Sequence, residues 1–263
     1  MLKNLLAIAA VLMVLNVNAQ DLRKIMEAGF NAFTGALNTK DAVKFKNSLS
    51  ASSYMKMKNM MLSAKQEFPQ TIFESADDYK LDFTKLQFIK TIENGPTGNL
   101  IYYDTEGENI ILLKFIKEGT AWKFSELESY GTAEIAKKMK AKDMSFLESE
   151  KFKPNGVAPA VQKELKSVDY MAMLDRTGDY KISIWVNGIE QESTNGGSKS
   201  GLLMGGVKKG KNTIEIKLSA LEGGKGGSLS VSIRAILGDV PKEVFAVKAA
   251  APATVITKEF TVQ

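Results

Sequence analysis

Leu112-Leu113-Lys114-Phe115-Ile116-Lys117-Glu118-Gly119-Thr120-Ala121-Trp122-Lys123-Phe124 decides the reading of the first half of this chain. Apolar residues crowd both flanks of Lys117-Glu118-Gly119-Thr120, and a charged break containing glycine between such runs is a hairpin signal. Extended outward, the two runs predict strands over Asn109 to Lys117 and Ala121 to Tyr130. Upstream, the turn Glu106-Gly107-Glu108 joins them to a strand over Gly98 to Asp104. Before that, Leu81, Phe83, Leu86 and Phe88 alternate with polar residues across one slip, which predicts a bulge.

Helices flank this meander. Leu22, Ile25, Gly29, Phe30, Phe33 and Leu37 recur mostly at three- and four-residue steps, so one helix face is apolar. Asn38-Thr39-Lys40-Asp41 breaks and recaps the chain before Ala42, Phe45 and Leu49. A third helix is expected from about Ser53 to Phe68, stopped by Pro69. Its methionines, Met55, Met57, Met60 and Met61, predict adaptable apolar packing, not a metal site. A last helix runs from Ala133 to about Leu147. Helices followed by long antiparallel strands give an α+β class.

The grammar changes after a Pro- and Gly-containing stretch at residues 151–162, which reads as a linker. Thirteen of the 21 glycines lie between Gly178 and Gly238. Strands are expected over Lys163 to Leu174, Asp179 to Val186, Gly201 to Met204, Asn212 to Leu218, Ser228 to Leu237, Glu243 to Val247 and Val255 to Val262. Asn187-Gly188 marks a tight turn. Short strands with Gly-rich joints predict an all-β sandwich. The expected organisation is therefore 1–19 leader, 20–150 α+β domain, 151–162 linker and 163–263 sandwich.

Two resemblances bear on this division. The hairpin Leu112 to Phe124, with its charged Gly-containing turn before Trp122-Lys123, resembles the penultimate hairpin of nuclear-transport-factor-2-like domains. That resemblance covers about residues 21–130 and implies a cone: helices packed on a curved antiparallel sheet. Enzymes of that kind commonly place an Asp/His pair in the cone, which this chain cannot do because it has no histidine. Tyr180 to Gly188, ending in Val186-Asn187-Gly188, and Lys209-Gly210-Lys211-Asn212-Thr213-Ile214 resemble galactose-binding-like jelly-roll domains. No ligand residue of that family maps onto these positions.

Composition sets limits on chemistry. With no cysteine and no histidine, the chain has no Cys/His triad, no imidazole base, no thiolate, no Cys/His zinc site and no disulfide. Catalysis would run on carboxylates, Lys, Tyr, Ser or Thr, and nothing calls for a cofactor or a metal. Met1-Leu2-Lys3-Asn4, the apolar Leu5 to Leu15 and the small-residue site ending at Ala19 read as an export signal cleaved near Ala19. Stable membrane insertion is not expected after cleavage, and periplasmic and extracellular destinations both stay open. The formal net charge of +5 is uneven. Residues 20–150 carry 18 basic and 19 acidic side chains, and residues 151–263 carry 16 and 11.

Four features are candidates for function. On the strand after Gly119, a period of two puts Trp122, Phe124, Glu126, Glu128 and Tyr130 on one face. Either Glu126 or Glu128 beside buried aromatics is a carboxylate for acid–base work, or the aromatics are core and the glutamates are solvated. Trp122 is also a candidate binding residue, lining a pocket for a small apolar ligand. Trp185 is expected on the polar strand face with Lys181 and Ser183, where it stacks on a sugar, packs on a partner or gives local cover. Lys208, Lys209 and Lys211, with Lys199 and Lys225, form either a patch for anionic glycans or lipid headgroups or scattered solvated charge. Gly205 to Asn212 comes within one residue of a phosphate-binding loop, but Asn212 replaces the required Ser or Thr and a strand follows.

These observations favour a non-enzymatic exported binding or assembly protein, recognising a glycan or an envelope protein, with a homodimer possible through the first domain's sheet. The alternatives are an isomerase or hydrolase using Glu126 or Glu128, and a purely structural envelope component. Nucleic acid is not an expected partner, because aromatics are not interleaved with the lysines.

Overall fold

Three helix ends explain how the first half of the chain turns. In a computed structural model, which describes residues 21–178, 180–191, 194–195, 197–220, 228–250 and 255–263, α1 (21–38) ends where Lys40 adopts a φ of 52°. Lys40 N donates to Leu37 O and Asp41 N to Ala36 O, the paired bonds of a Schellman cap. Asp41 then caps α2 (Ala42–Ser48), accepting from Val43 N and Lys44 N. The same closure ends α3 (Ala51–Ser63), with Lys65 at φ 55°, and α5 (Ala133–Lys140), with Lys142 at φ 56°. In each case a lysine occupies the left-handed position that glycine usually takes. The third and last helices therefore stop short of Phe68 and Leu147. A short α4 (Gln70–Glu74) follows α3, and 3₁₀ turns at Ser145–Glu148 and Glu150–Phe152 follow α5.

Contacts divide the chain into two units: the described residues up to Met55 with Ile72–Gln162, and Lys56–Thr71 with Lys163–Gln263. The first unit holds one antiparallel meander: β1 (Leu86–Asn94), β2 (Thr97–Asp104), β3 (Asn109–Glu118) and β4 (Ala121–Tyr130), paired in that order. The slip before Leu86 is a turn, in which Asp82 Oδ1 accepts from Thr84 N and Oγ1. The bulge lies further on, between Phe88 and Lys90.

This sheet is covered on both faces. Gly98, Leu100, Tyr102, Leu113, Phe115 and Phe124 share one face by register, and Phe124 meets Phe30 and Phe33 of α1 at centroid distances of 5.1 and 4.6 Å. The buried stripe of α1 is Met26, Phe30, Phe33 and Leu37; Ile25, expected on it, is 51% exposed. On the other face Ile101, Tyr103, Ile110 and Leu112 pack with Ile135 and Met139 of α5 and with Phe146, Leu147 and Phe152. Burial on both sides is why β2 and β3 read as unbroken apolar runs.

The second unit contains two antiparallel sheets. One has the order β13-β10-β6-β7, with β8 also on β6; the other is β12-β11-β5-β9. The strands are β5 (Ala172–Thr177), β6 (Tyr180–Val186), β7 (Ile189–Glu190), β8 (Thr194–Asn195), β9 (Ser198–Leu202), β10 (Gly210–Ala220), β11 (Ser228–Leu237), β12 (Val240–Ala250) and β13 (Val255–Val262). A single apolar cluster draws on both sheets, including Ile182, Ile184, Ile214 and Ile216 from one and Leu229, Val231 and Ile233 from the other. The strand expected from Lys163 begins only at Ala172. Upstream of it the backbone is bound by a helix side chain: buried Asn59 donates to Lys163 O and accepts from Leu165 N. The architecture is thus mixed α+β and mostly β. Among the described residues no helix is long and apolar enough to cross a membrane. Residues 1–19, where a leader is expected, Lys225 and the glycine run 223–227 lie outside the described residues.

Candidate functional site

β6 positions Trp185. Its burial alternates, with Tyr180, Ile182, Ile184 and Val186 inside and Lys181, Ser183 and Trp185 turned the other way. The strand ends in Asn187-Gly188, both at positive φ (51° and 77°), the backbone of the hairpin turn that suits twisted strands. Opposite Trp185 stand Glu215 on β10 and Glu190 on β7. Lys217 Nζ lies 4.4 Å from the centre of the indole and 3.0 Å from Glu215 Oε1. The result is a half-buried aromatic plate on a polar strand face, ringed by two carboxylates, a hydroxyl and an ammonium.

The loop before β10 is tied to the same turn by one buried amide. Asn212, 1% exposed, accepts at Oδ1 from Lys208 N (2.8 Å) and Asn187 Nδ2 (2.9 Å), and its Nδ2 donates to Lys208 O and Gly210 O. Asn187 Oδ1 in turn accepts from Thr213 N. Both sequence motifs that suggested a jelly roll are therefore partners in one clasp. The clasp also explains why Asn212 is not a phosphate-loop Ser or Thr: its amide faces inward and opens a strand. Lys208, Lys209 and Lys211 are exposed around it. Lys211 is paired with Glu259 at 2.7 Å, Lys209 N donates to Asp169 Oδ2 at 2.9 Å, and the ammonium groups of Lys208 and Lys209 have no ion-pair partner among the described residues. Lys211 shares the outer face of β10 with Glu215, four residues or about 13 Å away.

In the first unit the structure separates residues that the period of two had joined. The register of β3 and β4 slips between Lys114 and Phe115, so that Phe115 faces Phe124 but Lys114 faces Glu126, leaving Ser125 as the extra residue. Trp122 and Phe124 lie on the α1 face; Glu126, Glu128 and Tyr130 lie on the opposite one. Trp122 is 7% exposed, and a side chain at Gly98 would strike its ring and Met26, so strand and indole are in close contact. The face where a pocket was expected is filled by Phe30, Phe33, Phe45, Phe115 and Phe124, all at most 1% exposed.

Glu126 and Glu128 instead meet Lys114, whose Nζ is 3.4 Å from Glu126 and 2.6 Å from Glu128. Tyr130 Oη donates to the second oxygen of Glu128 at 2.5 Å. Burial first, and then this hydrogen bond to a carboxylate, pushes the Tyr130 phenol above its usual ionisation range. A second polar group was not foreseen: Tyr102 Oη donates to Glu27 at 2.5 Å, and Arg23 joins Glu27 at 2.8 Å while stacking over Phe88 at 4.1 Å. The spacing of Arg23 and Glu27, one helical turn apart, was its only visible signal. Asn59 and Ser63 were equally hidden, since one-turn spacing of small polar residues on a Met-rich helix points to no particular partner; Ser63 Oγ accepts from Gly205 N.

No family model, curated protein or solved structure matches this chain.

Proposed function

We propose that the chain is an exported, non-enzymatic binding protein whose second unit presents Trp185 to a glycan. The observation that carries this reading is the placement of the indole on the outer strand face, with Ser183, Glu190, Glu215 and Lys217 around it. Sugar rings offer an apolar C–H face to an aromatic plate and hydroxyls to flanking carboxylates and donors. Lys217 must swing aside for a sugar to stack, which its half-exposed stem permits. Export rests on the leader sequence ending at Ala19. We read the first unit as a nuclear-transport-factor-2-like cone closed by its own aromatics. We read the second as a galactose-binding-like sandwich, supported by the one core its two sheets share.

The test is a glycan array probed with the wild type and Trp185→Ala. Stacking predicts loss of binding in the variant by about tenfold or more. Undiminished glycan binding by Trp185→Ala refutes the platform, and binding of an envelope protein in place of any glycan moves the assignment to a protein partner.

A further inference from the structure

The two edges of the first unit's sheet differ. The outer edge of β4 is covered: Ser50 N donates to Phe124 O at 2.8 Å, and the hydroxyls of Ser53 and Ser125 meet at 2.8 Å. β1 pairs with β2 alone, and among the described residues no other backbone hydrogen bond reaches it. Alternate N–H and C=O groups along this edge therefore point outward without a ladder partner. Thr91, in the middle of the edge, has a buried Oγ1 with no hydrogen-bond partner among the described residues. It shares the α1 face with Glu93, because the two stand opposite Leu100 and Gly98.

We propose that β1 is a homodimer interface, pairing antiparallel with β1 of a second copy so that two four-stranded sheets become continuous. The bulge between Phe88 and Lys90 and the turn at Gly95-Pro96 confine the regular stretch to residues 90–94. A two-fold axis normal to the sheet keeps like faces together, and it aligns the whole stretch only when it passes beside Ile92. Lys90 then stands opposite the second copy's Asn94, and Thr91 opposite its Glu93, which gives the Thr91 hydroxyl an acceptor. Ile92 meets its own counterpart at the rim of the α5-side core. An axis at Lys90 or Glu93 would oppose like charges, and one at Thr91 would set Glu93 against the bulge. Bulge and lysine, which guard an edge against indiscriminate pairing, thus leave one register open. The same register carries the second copy's Gly95-Pro96 turn to Gln87 and Phe88. There a cavity of about 360 Å³, lined also by Ile89, Met144 and Leu147, receives it.

The experiment is sedimentation velocity of the whole chain at concentrations up to about 1 mM, with a reversible monomer–dimer equilibrium expected in the micromolar range that small interfaces give. Asn94→Lys sets lysine against Lys90 twice per dimer and should weaken association about tenfold. Adding Lys90→Glu to the same chain turns both contacts into ion pairs and should restore it. That recovery separates strand pairing from the lost bond between Asn94 Nδ2 and Pro154 O. The chain has no cysteine, so an introduced thiol reports proximity alone. Ile92→Cys lies at the axis and should form a covalent dimer under oxidised glutathione about tenfold faster than Glu93→Cys, whose counterparts are displaced along the strands by about 7 Å. A monomeric wild type, a dimer indifferent to Asn94→Lys or not recovered by Lys90→Glu, or equal cross-linking at both positions would each overturn the assignment.

Discussion

Asn212→Ala tests how much of the second unit depends on one buried amide. The side chain makes four hydrogen bonds of 2.8–3.0 Å, to Lys208 N, Asn187 Nδ2, Lys208 O and Gly210 O. At about 1 kcal/mol net for each, their loss sets a ceiling near 4 kcal/mol. Lys208 is exposed and Gly210 half-buried, so water reaches part of the freed backbone and lowers the cost to about 2–3 kcal/mol. Trp122 and Trp185 are the only tryptophans and fall in different units, so urea unfolding in a Trp122→Phe background reports the second unit through Trp185 fluorescence. The same background provides a double-mutant cycle with Asn187→Ala, in which the pair should couple by about 1 kcal/mol. A loss below about 1 kcal/mol for Asn212→Ala, or additive singles, would refute the clasp. Asn212→Ser, which completes the phosphate-loop pattern, should destabilise similarly and confer no ATP binding, because a strand follows where that loop needs a helix.

The lysines that close helices at positive φ offer a second check: Lys40→Gly and Lys142→Gly should each raise thermal stability by about 0.5–1 kcal/mol, since glycine adopts that backbone without Cβ strain. Ultraviolet titration supplies a third. Tyr130 has a folded pKa raised above the ordinary value of 10, so its contribution to stability is fully present below pH 10 and is lost as pH climbs through the folded value. Glu128→Gln removes the carboxylate partner, and Tyr130 should then ionise at lower pH in the absorbance titration; an unchanged titration curve would refute the Glu128 contribution.

Legibility in the sequence followed the range of the interactions involved. The hairpin at Gly119 and the strands Ala121–Tyr130, Ser228–Leu237 and Val255–Val262 were readable because turn chemistry and alternation are local. The orientation of Trp185 was readable for the same reason. The shared face of Trp122 and Glu126 was not. A bulge at Ser125 costs one residue of register and reverses every side chain beyond it, and Ser125 itself is an ordinary strand-compatible residue. The runs Leu100 to Tyr103 and Ile110 to Leu113 did carry a signal of burial on both faces, through their lack of alternation. Helix ends at Lys65 and Lys142 were hidden because lysine is a rare occupant of the left-handed cap position, so composition there points to continuation.

By itself the sequence determined the α+β order of elements, the change of grammar near residue 160 and the absence of thiol and imidazole chemistry. These depend on residue type and short-range periodicity, which are present in the unfolded chain. Only the tertiary structure decided that Trp122 is core, that Glu126 and Glu128 share Lys114 on the opposite face, and that Asn212 clasps Asn187. Those outcomes depend on register and on contacts between residues distant in sequence, where a one-residue slip moves a carboxylate from one side of a sheet to the other.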